Sequence, residues 1–208
     1  MNALFPTPTE AKPANPRARE RRVSSRNHAD FYRTPEVATL ALLERESFPG
    51  AIWEPACGDG AMSLPLKRAG YRVTSSDLVD RGFGIVGTDF LAEKELPAGV
   101  ESIVTNPPFK FGTAFARHAL DLGARKIALL CRVAFLEGQE RRPLLEQHLS
   151  RVWVFSRRIT LWRGDDPEAR DTGGAMAFAW FVFERGQRGP TVGFIPCHPP
   201  KPKGHRHA

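Results

Sequence analysis

Apolar residues fall along this chain in two alternating rhythms. After a polar start, Val37, Leu40, Ala41 and Leu43 recur at helical spacing behind Thr34-Pro35, which reads as N-cap and first helical position with Glu36 in the first turn. That helix is expected to end near Pro49-Gly50. A short strand, Ala51-Ile-Trp53, follows, then the loop Glu54-Pro-Ala-Cys-Gly-Asp-Gly60 and a helix from Ala61 to Ala69. Gly70 marks a turn into the strand Tyr71–Ser76, and Ile85-Val86 leads into Thr88-Asp89-Phe90-Leu91. Glu101–Thr105 is the next strand, running into Asn106-Pro107-Pro108-Phe109. The helix Phe111–Leu122 carries Phe111, Ala114, Phe115, Ala119 and Leu122 on one face and stops at Gly123. Lys126–Val133 is an unbroken apolar run with the character of a buried strand, followed by a helix near Gln139–Leu149. The last strands are Arg151–Phe155 and Ala175–Phe183, separated by the loop Arg163–Gly174 and no helix.

Strands alternating with helices predict an α/β fold, a doubly wound, Rossmann-like sheet of seven strands, mostly parallel. The two final strands are expected to form an antiparallel pair at one edge. The expected domain spans residues 30–185, between an N-terminal arm (1–29) and a Pro-rich tail (186–208).

Composition refines this. The net charge of +7 is concentrated at the ends: residues 1–29 hold six basic and two acidic residues, and residues 186–208 hold four basic and none acidic. These segments read either as arms that neutralise phosphates, with Arg21 and Arg22 among the contacts, or as solubilising tails. Cys57, Cys131 and Cys197 are odd in number and show no metal-ligand spacing, which argues against a disulfide framework or a metal site and for a reducing, cytoplasmic setting. No run approaches the ~18 apolar residues of a membrane span.

The candidate chemistry gathers at strand ends, where doubly wound sheets bind ligands. Two prolines after Asn106 fix φ and remove two backbone donors, leaving carbonyls free beside an amide, with Phe109 offering a ring. That set suits a flat amine-bearing group such as a nucleobase. In the loop after the first strand, Gly58 and Gly60 permit close backbone approach, while Glu54 and Asp59 add carboxylates. This is poor chemistry for a phosphate cradle, which uses N–H groups and Lys, and suits a ligand with positive charge. Asp77 lies about twenty residues further on, placed to accept from a ribose diol. Asp89 with Phe90 repeats an acid at a strand end, with a ring beside it.

In this order the residues resemble the class I S-adenosylmethionine-dependent methyltransferases, and within them the N6-adenine group, over residues 30–184. Asn106-Pro107-Pro108-Phe109 matches that group's catalytic Asn-Pro-Pro-Phe/Tyr motif. The resemblance implies S-adenosylmethionine held by Glu54, Ala56, Cys57, Gly58 and Gly60, with Asp77-Leu78 at the ribose, Asp89-Phe90 at the adenine, and Asn106 nearby. Tyr32-Arg-Thr34-Pro35 resembles the element that touches the methionine end of the cofactor, through Tyr32 and Thr34. The stretches Asp77–Gly82 and Leu130–Gly138 look like the compact phage and prophage methyltransferases, which implies DNA as the target.

Too few residues separate Asp89 from Asn106 to hold a target-recognition domain. Nucleic-acid contacts are therefore expected from Arg157, Arg158 and Arg163 beside the Arg163–Gly174 loop, with weak or very short sequence specificity or a partner that supplies it. The Asn-Pro-Pro motif also serves methyltransferases of RNA adenine, guanine N2 and protein glutamine, so the acceptor stays open among these. A non-catalytic nucleic-acid-binding module is the alternative from another class.

Overall fold

The computed structural model describes residues 31–163, 176–187 and 189–196. Its centre is an eight-stranded sheet made of β2 (Ala51–Glu54), β3 (Val73–Asp77), β4 (Ile85–Val86), β5 (Val100–Thr105), β6 (Lys126–Arg132), β7 (Leu149–Phe155), β9 (Phe178–Glu184) and β10 (Thr191–Ile195). The spatial order is β10-β7-β9-β6-β5-β2-β3-β4. A separate two-stranded ribbon pairs β1 (Tyr32–Arg33) with β8 (Trp162–Arg163), antiparallel.

The expected α/β class and mostly parallel sheet are found, with two differences. The antiparallel strand is internal: β9 lies between β6 and β7 and runs against both. Its sequence explains this, because all residues from Phe178 to Phe183 are buried, and such a strand needs cover on both faces and partners on both edges. The sheet also has an eighth strand. Thr191–Ile195, placed by sequence in a tail beginning at residue 186, forms β10 and pairs in parallel with β7. Gly193 makes this pairing possible, since a Cβ there would lie 2.3 Å from the Trp153 ring.

Four helices cover the sheet: α1 (Glu36–Leu43), α2 (Ser63–Arg68), α3 (Gly112–Asp121) and α4 (Arg142–His148). Alternation along β6 divides the core. Ile127 and Leu129 join Phe115, Ala119, Leu144 and Leu145 of α3 and α4, whereas Ala128 and Leu130 join Ala38, Leu42 and Leu66 of α1 and α2. Each fully buried Leu, Ile or Phe contributes about 1.5–3 kcal/mol. Helix α1 starts one residue later than expected and stops well before Pro49. Pro35 is its N-cap and has no side-chain acceptor to offer, while the Thr34 hydroxyl, expected to cap, accepts from Asn106 Nδ2.

Glu46, just past α1, is the centre of a buried ion network at the end of the sheet where β6 begins and β9 ends. Its carboxylate accepts from Lys126 Nζ at 2.7 Å, Arg151 Nε at 2.6 Å and Trp153 Nε1 at 2.7 Å. Burial raises the pKa of Glu46, but the bonds from Arg151, Lys126 and Trp153 outweigh this and hold it below the usual carboxylate range. Lys126, read by sequence as the start of an apolar run, is buried because this acid meets it.

Removing one member of a buried ion set leaves the others uncompensated, so Glu46→Ala is expected to cost about 3–5 kcal/mol in urea unfolding at pH 7. With a depressed folded pKa, Glu46 stabilises fully above its unfolded value of about 4.3, and this contribution falls away as pH drops through the folded value. The gap between wild type and Glu46→Ala should therefore narrow in acid; a gap independent of pH would contradict this.

Candidate active site

Residues 31–35 form a strap across the carboxyl ends of β2 and β5, and each of its first four residues holds part of the site. The side chain of Asn106, which follows β5, donates from Nδ2 to the Tyr32 carbonyl at 3.0 Å and to Thr34 Oγ1 at 3.1 Å. A carbonyl only accepts, so the nitrogen end of the amide must face the strap. The oxygen end, Oδ1, is buried without a hydrogen-bond partner. An orphaned buried acceptor of this kind is rare and costs free energy until a donor arrives.

The other strap contacts reach both halves of the site. The Tyr32 ring lies 4.8 Å from that of Phe109, tilted by 31°. Phe109 also meets Phe178 at 5.8 Å and lies under the Arg132 guanidinium, 4.4 Å from its carbon. Phe109 is thus already engaged on protein groups, and a base stacking on it has to share or displace one of them. Arg33 Nε bonds Asp59 Oδ2 at 2.5 Å. Phe31 rests on Gly58, where φ is +55° and a Cβ would lie 2.2 Å from the ring; Phe83 similarly covers Gly60, φ +82°. These glycines allow aromatic rings to lie directly on the loop backbone. Pro107 and Pro108 complete the turn after Asn106, with Pro107 buried.

The carboxylates expected to meet a positive ligand divide into two groups. Glu54 is 2% exposed and accepts from Ser63 Oγ, which lies 2.6 Å from Ser75 Oγ. Burial pushes its pKa well above the normal range, against the pull of the Ser63 hydrogen bond in the other direction. Asp59 is already paired with Arg33. Sequence alone cannot show either fact, since both depend on residues that tertiary folding brings close.

Asp77 and Asp89 remain able to bind. Asp77 accepts from the Gly58 N–H at 2.8 Å and the Val79 N–H at 2.9 Å, tying the glycine loop to the end of β3, and its two oxygens keep spare lone pairs. Leu78 beside it is exposed. Asp89 is exposed and caps the 3-10 turn Phe90–Ala92 through Leu91 N. Phe90 itself is 2% exposed and packs edge-on against Trp53 at 5.2 Å, so its ring belongs to the core and only its backbone can meet a ligand. Ala56 is half-buried, and Cys57 is a buried free thiol whose pKa burial pushes up to about 12, leaving it inert as a nucleophile.

For nucleic acid, Arg157 and Arg158 are exposed just beyond β7, at the same end of the sheet as Asn106. Arg163 lies in β8, in register with Tyr32 of the strap. Arg21 and Arg22 lie outside the described residues. Sequence reading missed Phe31, Phe83 and Arg132; a charge closing the apolar run Lys126–Arg132 at its ligand-side end was the available signal for the last. Among the described residues, no group of three or more His, Cys, Asp or Glu could hold a metal ion, and no helix is long and apolar enough to cross a membrane.

No protein-family model and no curated protein matches the sequence. Solved structures do match it in fold. A protein assigned as an RNA methyltransferase from Pyrococcus horikoshii aligns with a TM-score of 0.53 at 15% identity, over 76% of this chain and 88% of that one. A modification subunit assigned to a type I restriction enzyme of Vibrio vulnificus aligns with a TM-score of 0.50 at 13% identity, over 90% of this chain and 52% of that one. The modification protein of the type I restriction enzyme EcoKI aligns with a TM-score of 0.50 at 16% identity, over 73% and 43%. This chain thus spans about half the length of the restriction-enzyme subunits. The fold is the Rossmann-like fold of the methyltransferases.

A carboxyl whose folded pKa is raised favours folding most at low pH, and the advantage is lost as pH climbs from the unfolded value of about 4.3 towards the folded one. Glu54→Gln, which mimics the neutral acid, is therefore expected to gain on wild type in urea unfolding as pH rises from 4.5 to 8. A difference that stays constant over that range would show that Glu54 titrates normally.

Proposed function

We propose that this chain is an S-adenosylmethionine-dependent methyltransferase acting on the exocyclic N6 amine of adenine in DNA. The Asn106 amide carries this reading. With Nδ2 satisfied by the strap, Oδ1 is left as a fixed, buried acceptor in want of an N–H donor. The cofactor would supply an electrophilic sulfonium methyl. Asp77 and Asp89 keep the lone pairs that a ribose diol and an adenine amine need, and the Gly58 N–H ties the glycine loop to Asp77. Tyr32, Thr34, Ala56 and Cys57 complete the cofactor contacts of this reading.

The amine of adenine is a poor nucleophile because its lone pair is delocalised into the ring. Its protons are far too weakly acidic for a carboxylate to remove. Hydrogen bonds from N6–H to Asn106 Oδ1 and to the Pro107 carbonyl favour a pyramidal nitrogen with its lone pair available. The chain's contribution is then position and electrostatics in a shielded site. Phe109 offers the aromatic contact for the base, which in a duplex must be flipped out of the stack. Arg157 and Arg158, at the same end of the sheet, are the phosphate contacts of this reading, together with Arg163. The stretch between Asp89 and Asn106 carries only the 3-10 turn, a short connection and β5, which supports short sequence specificity.

Tritiated S-adenosylmethionine offered with unmethylated DNA, RNA and protein, followed by nucleoside mass spectrometry, tests the reading. N6-methyladenine in DNA is expected; methyl in RNA alone or in protein alone would redirect the substrate. Asn106→Ala should reduce transfer by more than about 100-fold, on the scale of losing one preorganised polar contact to the transition state, while cofactor binding survives. Turnover near wild type would remove the role assigned to the amide.

A further inference from the structure

We propose that Arg132 is a positioning residue for the acceptor base, donating a hydrogen bond to the ring nitrogen beside the reacting amine. This rests on the adenine reading above and specifies how the base is held. Arg132 ends β6, which lies alongside β5, and β5 runs directly into Asn106. Its guanidinium lies over Phe109 of the same motif, and its Nε is buried with no hydrogen-bond partner.

Other arginines of the described residues show what is missing. Arg33 pairs with Asp59, Arg125 with Glu101, and Arg151 with Glu46 and Glu184. Arg117, Arg141 and Arg185 donate to backbone carbonyls. Arg132 has neither kind of partner among the described residues, and its contact is with a ring face. The N–H bonds of a guanidinium lie in its own plane, so stacking leaves them unused. A buried donor kept in that condition is best explained by an acceptor that arrives with the substrate.

The two orphaned atoms select the ligand. Asn106 Oδ1 lacks a donor and Arg132 Nε lacks an acceptor; the two residues stand at the ends of the neighbouring strands β5 and β6, with Arg132 over Phe109. A group completing both presents an N–H and a lone pair side by side. Adenine does so along two edges, N6–H with N1 and N6–H with N7. A phosphate offers lone pairs only and stays outside with the sugar chain, whereas Nε is shielded from solvent. Since both atoms are covered, the base reaches them as neighbouring side chains move aside.

The test measures kcat/KM for the full chain on DNA containing adenine, 1-deazaadenine or 7-deazaadenine throughout. Wild type is expected to lose about 10- to 100-fold on the analogue that lacks the contacted nitrogen, the scale of discrimination from one good base contact. Arg132→Met should lose a similar factor on adenine, no longer distinguish adenine from that analogue, and bind cofactor as wild type does, which also shows that it folds. If Arg132→Met does not bind cofactor, Arg132→Lys is put through the same comparison and should show partial discrimination. Full activity of Arg132→Met on adenine, or equal losses on all three bases, would overturn the inference. So would a fall of about one in the slope of log binding constant against log salt, which marks a phosphate contact. If wild type methylates no adenine in any substrate, the adenine reading fails and this inference with it; a wild type that methylates adenine beside an indifferent Arg132→Met removes only the inference.

Discussion

The two hydrogen bonds from Asn106 Nδ2 to the strap set the chemistry of the whole site. An amide side chain has two ends of opposite character, and nothing within Asn106-Pro107-Pro108-Phe109 decides which end faces a ligand. The Tyr32 carbonyl decides it, because it can accept and cannot donate. The strap is in turn held by antiparallel pairing with β8 and by Arg33 on Asp59. Residues more than 70 positions apart therefore define the free oxygen that an amine would meet. The strap also touches both halves of the site, with Phe31 on the glycine loop and the Tyr32 ring on Phe109.

The polar groups of the molecule divide between the two ends of the sheet. At the end opposite the strap, Glu46, Lys126, Arg151 and Glu184 satisfy one another inside the protein. This network is structural: it joins the chain after α1 to β6, β7 and β9. At the strap end, Thr105 Oγ1, Asn106 Oδ1 and Arg132 Nε are buried without partners, all at the carboxyl ends of β5 and β6. Thr39 Oγ1 and His118 Nε2, in α1 and α3, are buried without partners as well, so what distinguishes the strap end is the grouping of three such atoms on two adjacent strand ends, where doubly wound sheets bind ligands.

The acids of the site show why residue type alone does not assign a role. Glu54, Asp59, Asp77 and Asp89 occupy equivalent-looking positions after strands. Burial raises the pKa of Glu54 against the hydrogen bond from Ser63, Arg33 engages Asp59, and backbone N–H groups hold Asp77 and Asp89 while leaving lone pairs over. Hydrogen-bond acceptance at the two strand-end aspartates is what remains for a ligand.

Periodicity and punctuation in the sequence determined the alternation of strands and helices, the doubly wound class and the position of Asn106-Pro107-Pro108-Phe109 at a strand end. These follow from local rules: apolar spacing, Gly and Pro at turns, and the short reach of backbone hydrogen bonds. Tertiary structure alone decided that β9 inserts between β6 and β7, that Thr191–Ile195 joins the sheet, and that the Phe90 ring is spent in the core. It alone turned the Asn106 amide and left Arg132 without an acceptor. Each of these depends on contacts between residues far apart in sequence, where orientation and burial, rather than residue identity, settle what a side chain is free to do.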